Sequence, residues 1–259
     1  MKFVTDVSVT SRTVRTGQTF SPKTLFTGGE DGCWLDPSDF DSLFEDADGT
    51  IPSAINGRVG RIEDKSGSGH HAVQPNPWAR PFLRLDQDGR PYLEFDGIDD
   101  ALDCNLAGIG RADIAAAVTC GYLAQGNVGY ILNASADSTS SAVRSFNLLS
   151  AGAGQIELRV GGDGGGVTAA RSPGTLDCVS ASWNRTLSSG KIMWGGAPAE
   201  TMGTGGYSQD HPLRIGGRLT GAFFPGRVYG IIARIAPTDG ATLERMRRFM
   251  CQKTGVALA

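Results

Sequence analysis

Phe95-Asp96-Gly97-Ile98-Asp99-Asp100 is the stretch that decides how this chain folds. An apolar strand, Tyr92–Phe95, runs into it. Gly97 permits the positive φ of a tight reversal, and Asp side chains bond the amides of such turns. Three carboxylates crowded into one turn either repel one another or share a cation, and calcium is the cation such oxygens favour. Upstream stands a second acidic turn, Asp64-Lys65-Ser66-Gly67-Ser68-Gly69-His70-His71-Ala72.

Outward from these turns the pattern is strand and turn. Candidate strands are Tyr92–Phe95, Ile114–Leu123, Tyr130–Asn133, Val143–Leu149, Gln155–Val160, Val167–Ala170, Leu176–Trp183, Lys191–Trp194, Leu213–Ile215 and Arg227–Ala236. Gly, Pro, Asn, Asp or Ser clusters separate most of them. The region 28–48 reads as turn-rich, and Asp36-Pro37-Ser38-Asp39 can cap a short helix over Phe40–Phe44, with Pro at the first helical position. Asn76-Pro77-Trp78-Ala79-Arg80-Pro81 reads as extended, because each Pro pushes its predecessor out of the helical region. Near the C-terminus Leu243, Met246, Phe249 and Met250 recur at helical spacing. Thr238 or Asp239 can cap that helix and Gly255 can end it, with Arg245, Arg247, Arg248 and Lys253 on a solvated face.

The chain has 259 residues, enough for one large β-sandwich or two small domains. Its net charge of −3 and the lack of a basic stripe argue against nucleic acid as a partner. No stretch is long enough to insert into a membrane. No apolar run follows Met1-Lys2-Phe3-Val4, so no signal peptide is expected. The five cysteines are odd in number and show no C-x-x-C, which reads as buried thiols in a chain folded in a reducing cytoplasm. Residues 1–27 are rich in Ser and Thr and read as an extended arm. Residues 28–259 read as the sandwich domain.

Four stretches together resemble the concanavalin A-like, laminin G-like β-sandwich proteins of tailed phages and prophages. They are Gly32-Cys33-Trp34-Leu35-Asp36-Pro37-Ser38-Asp39, Arg61 to Ala72 with His70 where that family favours Asn, Arg80-Pro81 with Gly89 to Asp100, and Leu213 to Arg218 with Phe224 to Val228, closed by the helix and Gly255-Val256. The resemblance implies an all-β jelly-roll sandwich of two antiparallel sheets with a C-terminal helix packed against it. It also implies a virion part of the tail-fibre, baseplate or capsid-fibre type, made in the host cytoplasm and docked to other virion proteins through its arm. Fibres commonly use three-fold symmetry, so a homotrimer is expected.

Asp64, Asp96, Asp99 and Asp100 are the candidate calcium ligands. Against this, Asp96 and Asp99 can simply bond turn amides and Asp64 can cap its own loop. No cofactor is required by the sequence. Adjacent His70 and His71 on a strand point to opposite faces and do not chelate one ion; one is expected buried against backbone and the other exposed. Trp78, Tyr130, Tyr207, Phe223 and Phe224 are candidate platforms for a host surface glycan. Trp34, Trp183 and Trp194 read as core. No strand carries the alternating acids of sandwich glucanases and no G-x-S-x-G occurs, so the chain is expected not to be an enzyme. A receptor binder and a ligand-free decoration protein both stay open; the latter would bury Tyr207, Phe223 and Phe224 between subunits.

Overall fold

The computed structural model describes residues 20–111, 113–125, 128–135, 145–152, 154–162, 165–171, 174–206, 208, 210–219 and 221–258. Two antiparallel sheets form a β-sandwich. Edge to edge, the first runs Glu200–Gly203, Ser189–Trp194, Leu176–Asn184, Ala115–Ala124, Pro225–Ile235, Pro91–Asp96 and Phe82–Leu85, and Asp31–Leu35 also pairs with Pro225–Ile235. The second runs Gly166–Ala170, Gln155–Val160, Phe146–Gly152, Gly129–Asn133, Leu213–Ile215, Leu102–Cys104, Ala72–Val73, Arg61–Ile62 and Leu43–Phe44.

In the second sheet, Gln155–Val160 shows a half-buried alternation. Ile156, Leu158 and Val160 point into the core, while Gln155, Glu157 and Arg159 point outward. Ala115–Ala124 and Leu176–Asn184 lack that alternation because both of their faces are covered. Val118, Cys120, Tyr122, Val179, Ala181 and Trp183 face the second sheet, where Trp183 stacks on Phe146 at 5.4 Å. Ala117 and Cys178 face the C-terminal helix, Gly240–Thr254. Each large side chain sealed in this way contributes about 1.5–3 kcal/mol.

The helix docks through Leu243, Met246, Met250 and Cys251. It lies so close to the sheet that a Cβ on Gly121 would fall 2.6 Å from Cγ2 of Thr254, so only Gly fits there. Asp239 caps the first turn by accepting Thr242 N–H at 2.6 Å, and Gly255 ends the helix in the left-handed region. Among the described residues no helix is long and apolar enough to cross a membrane.

Several local expectations need correcting. Phe40–Phe44 is a 3-10 turn over Phe40–Ser42 followed by a two-residue strand. The turn starts at Asp39, whose side chain makes no cap bond, and Asp36 accepts from Ser38 and pairs with Lys253. Asn76 and Arg80 are extended as each following Pro requires, but Pro77–Ala79 between them makes one 3-10 turn. Arg247 is buried, not solvated; its guanidinium donates to the carbonyls of Gly195 and Ala197 and pairs with Glu244. Of the expected arm, residues 1–19 lie outside the described residues. Pro22–Phe26 is a 3-10 turn packed on this domain, with Leu25 and Phe26 buried beside the helix and Phe20 edge-on to Phe249.

Candidate functional site

The reversal after Phe95 sits at one end of the sandwich. Asp96 pairs with Pro225 and Leu102 pairs with Ile215, which brings the loops 97–101 and 216–224 together there. Gly97 has φ +77°, and a Cβ on it would lie 2.8 Å from Cβ of Pro225. Ala101 N–H donates to the carbonyl of Ala79, so the Trp78 turn lies against the same loop.

Asp96, Asp99 and Asp100 each offer a carboxylate oxygen, and these oxygens lie within 4.8 Å of one another. Asp96 Oδ1 accepts Ile98 N–H at 2.7 Å and Asp99 N–H at 3.3 Å, as a turn-bonding Asp should. Asp100 is only 2% exposed. Its Oδ2 accepts Asp96 N–H at 3.1 Å, whereas its buried Oδ1 has no hydrogen-bond partner among the described residues. The nearest cation is Arg58 Nη1 at 3.7 Å, an ion-pair separation too long for a hydrogen bond. That guanidinium is already committed to the carbonyls of Trp78 (3.0 Å) and Arg80 (2.6 Å). Burial first, then the charge of Asp96, pushes the Asp100 carboxyl up to about 7. A desolvated acid with an unused oxygen and two acidic neighbours is stabilised by binding either a proton or a cation.

Beside this cluster, Trp78 is 76% exposed. Its backbone is held by the Asn76 carboxamide, which accepts Trp78 N–H, and by Arg58 on its carbonyl. The indole is therefore presented on a fixed turn, without being packed. Ile98, at the tip of the acidic turn, is 74% exposed.

The other expected site residues are placed differently. Asp64 does not join the cluster. Its Oδ1 accepts Trp34 N–H and Ser66 N–H, both at 2.8 Å. Its Oδ2 accepts the Ser66 hydroxyl at 2.6 Å and His70 N–H at 3.0 Å. Tyr130 and Phe224 are buried and cannot serve as platforms. Phe224 fills its own domain's core against Phe95, which also removes it from any contact between subunits. Phe223 is half-buried against Gly217. Tyr207 lies outside the described residues. His71 is half-buried rather than buried and precedes the strand Ala72–Val73, its Nδ1 accepting Asp64 N–H. His70 is half-buried rather than exposed, bonded to Asp31 and Asn105. Arg58 was missed, since nothing local marks an arginine that will reach a carboxylate 42 positions away. Ile98 carried a signal, an apolar residue inside a polar turn.

A second concave region lies on the outer face of the first sheet, a trough of about 530 Å³ lined by Tyr92, Tyr229, Arg227, Asp86, Asp88 and Arg90. Its polar groups are largely spent on one another: Arg90 pairs with Asp86 and Asp88, and Tyr229 donates to Asp86.

No protein-family model matches the chain, and no curated protein matches it. Solved structures do. A Trypanosoma rangeli sialidase aligns with TM-score 0.57 at 14% identity, over 87% of this chain and 33% of that one. A GH54 α-L-arabinofuranosidase aligns with TM-score 0.58 at 13% identity, over 91% and 66%. The binding domain of botulinum neurotoxin serotype D aligns with TM-score 0.52 at 12% identity, over 73% and 49%. The chain thus spans a third to two thirds of each of these proteins. At such identities the likeness establishes the β-sandwich and nothing finer. It also corrects the expectation that the chain is not an enzyme. Sandwiches of this shape occur within glycosidase chains, so a missing alternating-acid strand does not decide the matter, and enzyme status is open.

Proposed function

We propose that this chain is a glycan-binding component of a tailed-phage or phage-like virion, of the concanavalin A-like or laminin G-like kind, working with calcium. The observation that carries the reading is the position of an exposed, backbone-anchored Trp78 beside three carboxylates, one of which buries an oxygen that accepts no hydrogen bond. Calcium takes about six to eight oxygens. Asp96, Asp99 and Asp100 supply part of that shell and leave positions for water and for sugar hydroxyls. The Trp78 indole offers a flat apolar surface to a sugar ring. The phage assignment rests on the likeness of the Asp64 and Asp96 turns to that family. In that setting residues 1–27 and the Phe20–Phe26 surface dock the domain to other virion proteins, within a trimer.

The experiment is adsorption competition. Purified protein is mixed with host cells, with calcium or with a chelator, before the parent particle is added, and released sugar is measured alongside. Cell binding that blocks adsorption and is lost on chelation is the expected result. A folded protein that neither binds cells nor changes adsorption overturns the reading. Release of sugar from the cells would make the same face catalytic.

A further inference from the structure

On the outer face of the first sheet, the C-terminal helix covers Cys178 of strand Leu176–Asn184 with Cys251 of its own last turn. Their Sγ atoms are 2.7 Å apart. Unbonded carbon atoms settle at about 3.5–4.0 Å, and sulfur is the larger atom. Both side chains are buried, and both belong to the cluster that fixes the helix to the sheet. We infer that Cys178 and Cys251 are a disulfide-forming pair that staples the C-terminal helix to the first sheet once the protein meets an oxidising setting.

The remaining three cysteines are buried thiols, and Cys33 shares a side-chain hydrogen bond with Cys104, so those two form a second buried pair that the peptide map must tell apart from Cys178–Cys251. Cys104 also donates its S–H to the His70 carbonyl at 3.2 Å. Cys120 is sealed in the core, where burial alone pushes its thiol far up. Cys251 is the nucleophile of its pair. The hydrogen bond from Cys178 holds its thiol below the usual range against the effect of burial, and the Arg247 guanidinium adds to this. Cys178 moves the opposite way, because its proton is the one shared.

The oxidant is a low-molecular-weight disulfide. The Cys251 thiolate attacks one of its sulfurs, forming a mixed disulfide and releasing one thiolate. Cys178 then gives up its proton to solvent and displaces the second. Two protein thiols are oxidised to one disulfide, and one small disulfide is reduced to two thiols. Cys251 and Thr254 are both buried, so the oxidant reaches Cys251 only when the helix's last turn opens.

The staple closes a 73-residue span. A loop of that size raises the melting temperature of a domain this large by roughly 10 °C. The test starts from fully reduced protein, incubated with excess oxidised glutathione. Thiols are counted in denaturant, peptides are mapped without reduction, and thermal melts are recorded with and without dithiothreitol. The expected result is a fall from five thiols to three, a Cys178–Cys251 linked peptide, and a melting temperature that drops on reduction. Cys251→Ser should melt at one temperature in both conditions. Five titratable thiols after oxidant, or a linkage between other cysteines, overturns the inference; the peptide map decides this even where the variant folds poorly.

Discussion

The two acidic turns, Asp64 to Ala72 and Asp96 to Asp100, look alike in sequence and part company in structure. Asp64 spends both oxygens on four donors, three of them backbone amides, and ties the first sheet's Trp34 strand to its own loop. Asp100 spends one oxygen and buries the other without a hydrogen bond, facing Asp96 and Asp99. A carboxylate with every lone pair in use has finished its work when folding ends. One that is buried with an oxygen unused costs stability until something binds it. The contrast separates a turn whose acid is satisfied by folding from one that keeps an oxygen without a hydrogen bond, where counting acids in each does not.

The largest effect falls on the finished turn. Asp64→Ala should cost about 3–5 kcal/mol, because several donors lose their acceptor inside the fold. Denaturant melts should show this equally with calcium and with chelator. A calcium-dependent loss would break the comparison by making Asp64 a ligand.

The unfinished turn should respond with the opposite sign. The folded Asp100 carboxyl titrates near 7, well above the ordinary carboxylate range. The folded state therefore holds a proton that the unfolded chain has already released. Its contribution is fully present below about pH 4 and is lost as pH rises through about 7. Without calcium, Asp100→Asn should raise stability at pH 8 by on the order of 2–3 kcal/mol and flatten the pH dependence between 4 and 8. A variant less stable than the parent at pH 8 would show that the charge is held by Arg58 after all.

Much of the sandwich was legible because its strands announce themselves. Gln155–Val160 and Leu213–Ile215 stand where alternation and turn residues put them, and the helix ends at Gly255 as its spacing required. Asp31–Leu35 and Phe82–Leu85 were missed. The first lies in a stretch dominated by Gly and Asp, and its strand character comes from pairing with Pro225–Ile235 far along the chain. Leu102–Cys104 and the two-residue strands are too short to show a period. The site was half legible. Trp78 and the three carboxylates were readable as residue types. Burial of Tyr130 and Phe224, and the reach of Arg58, depend on which loops the topology brings to one end.

Calcium should act on one turn alone. At pH 7.5, 10 mM calcium should stabilise the parent by about 1–3 kcal/mol, the range for a site with millimolar to submillimolar affinity. Asp99→Asn should lose most of that gain, since Asp99 is half exposed and its removal leaves the Asp64 turn untouched. A melting temperature that ignores calcium in the parent would reduce the cluster to a proton site.

The smallest effect on stability should come from Trp78→Ala, and there the comparison becomes functional. The indole is largely in solvent, and the turn beneath it is held by backbone: Asn76 accepts Trp78 N–H and Arg58 binds the Trp78 carbonyl. Removing the side chain breaks neither bond, so the change in unfolding free energy should stay within about 0.5 kcal/mol. Glycan or cell binding should fall roughly tenfold, the worth of one aromatic surface against a ligand of about 1–1.5 kcal/mol. Binding and stability are thus uncoupled at Trp78 and coupled at Asp100, where calcium bears on both. If Trp78→Ala binds as the parent does, the acidic turn has no partner platform and its buried Asp100 oxygen serves calcium alone.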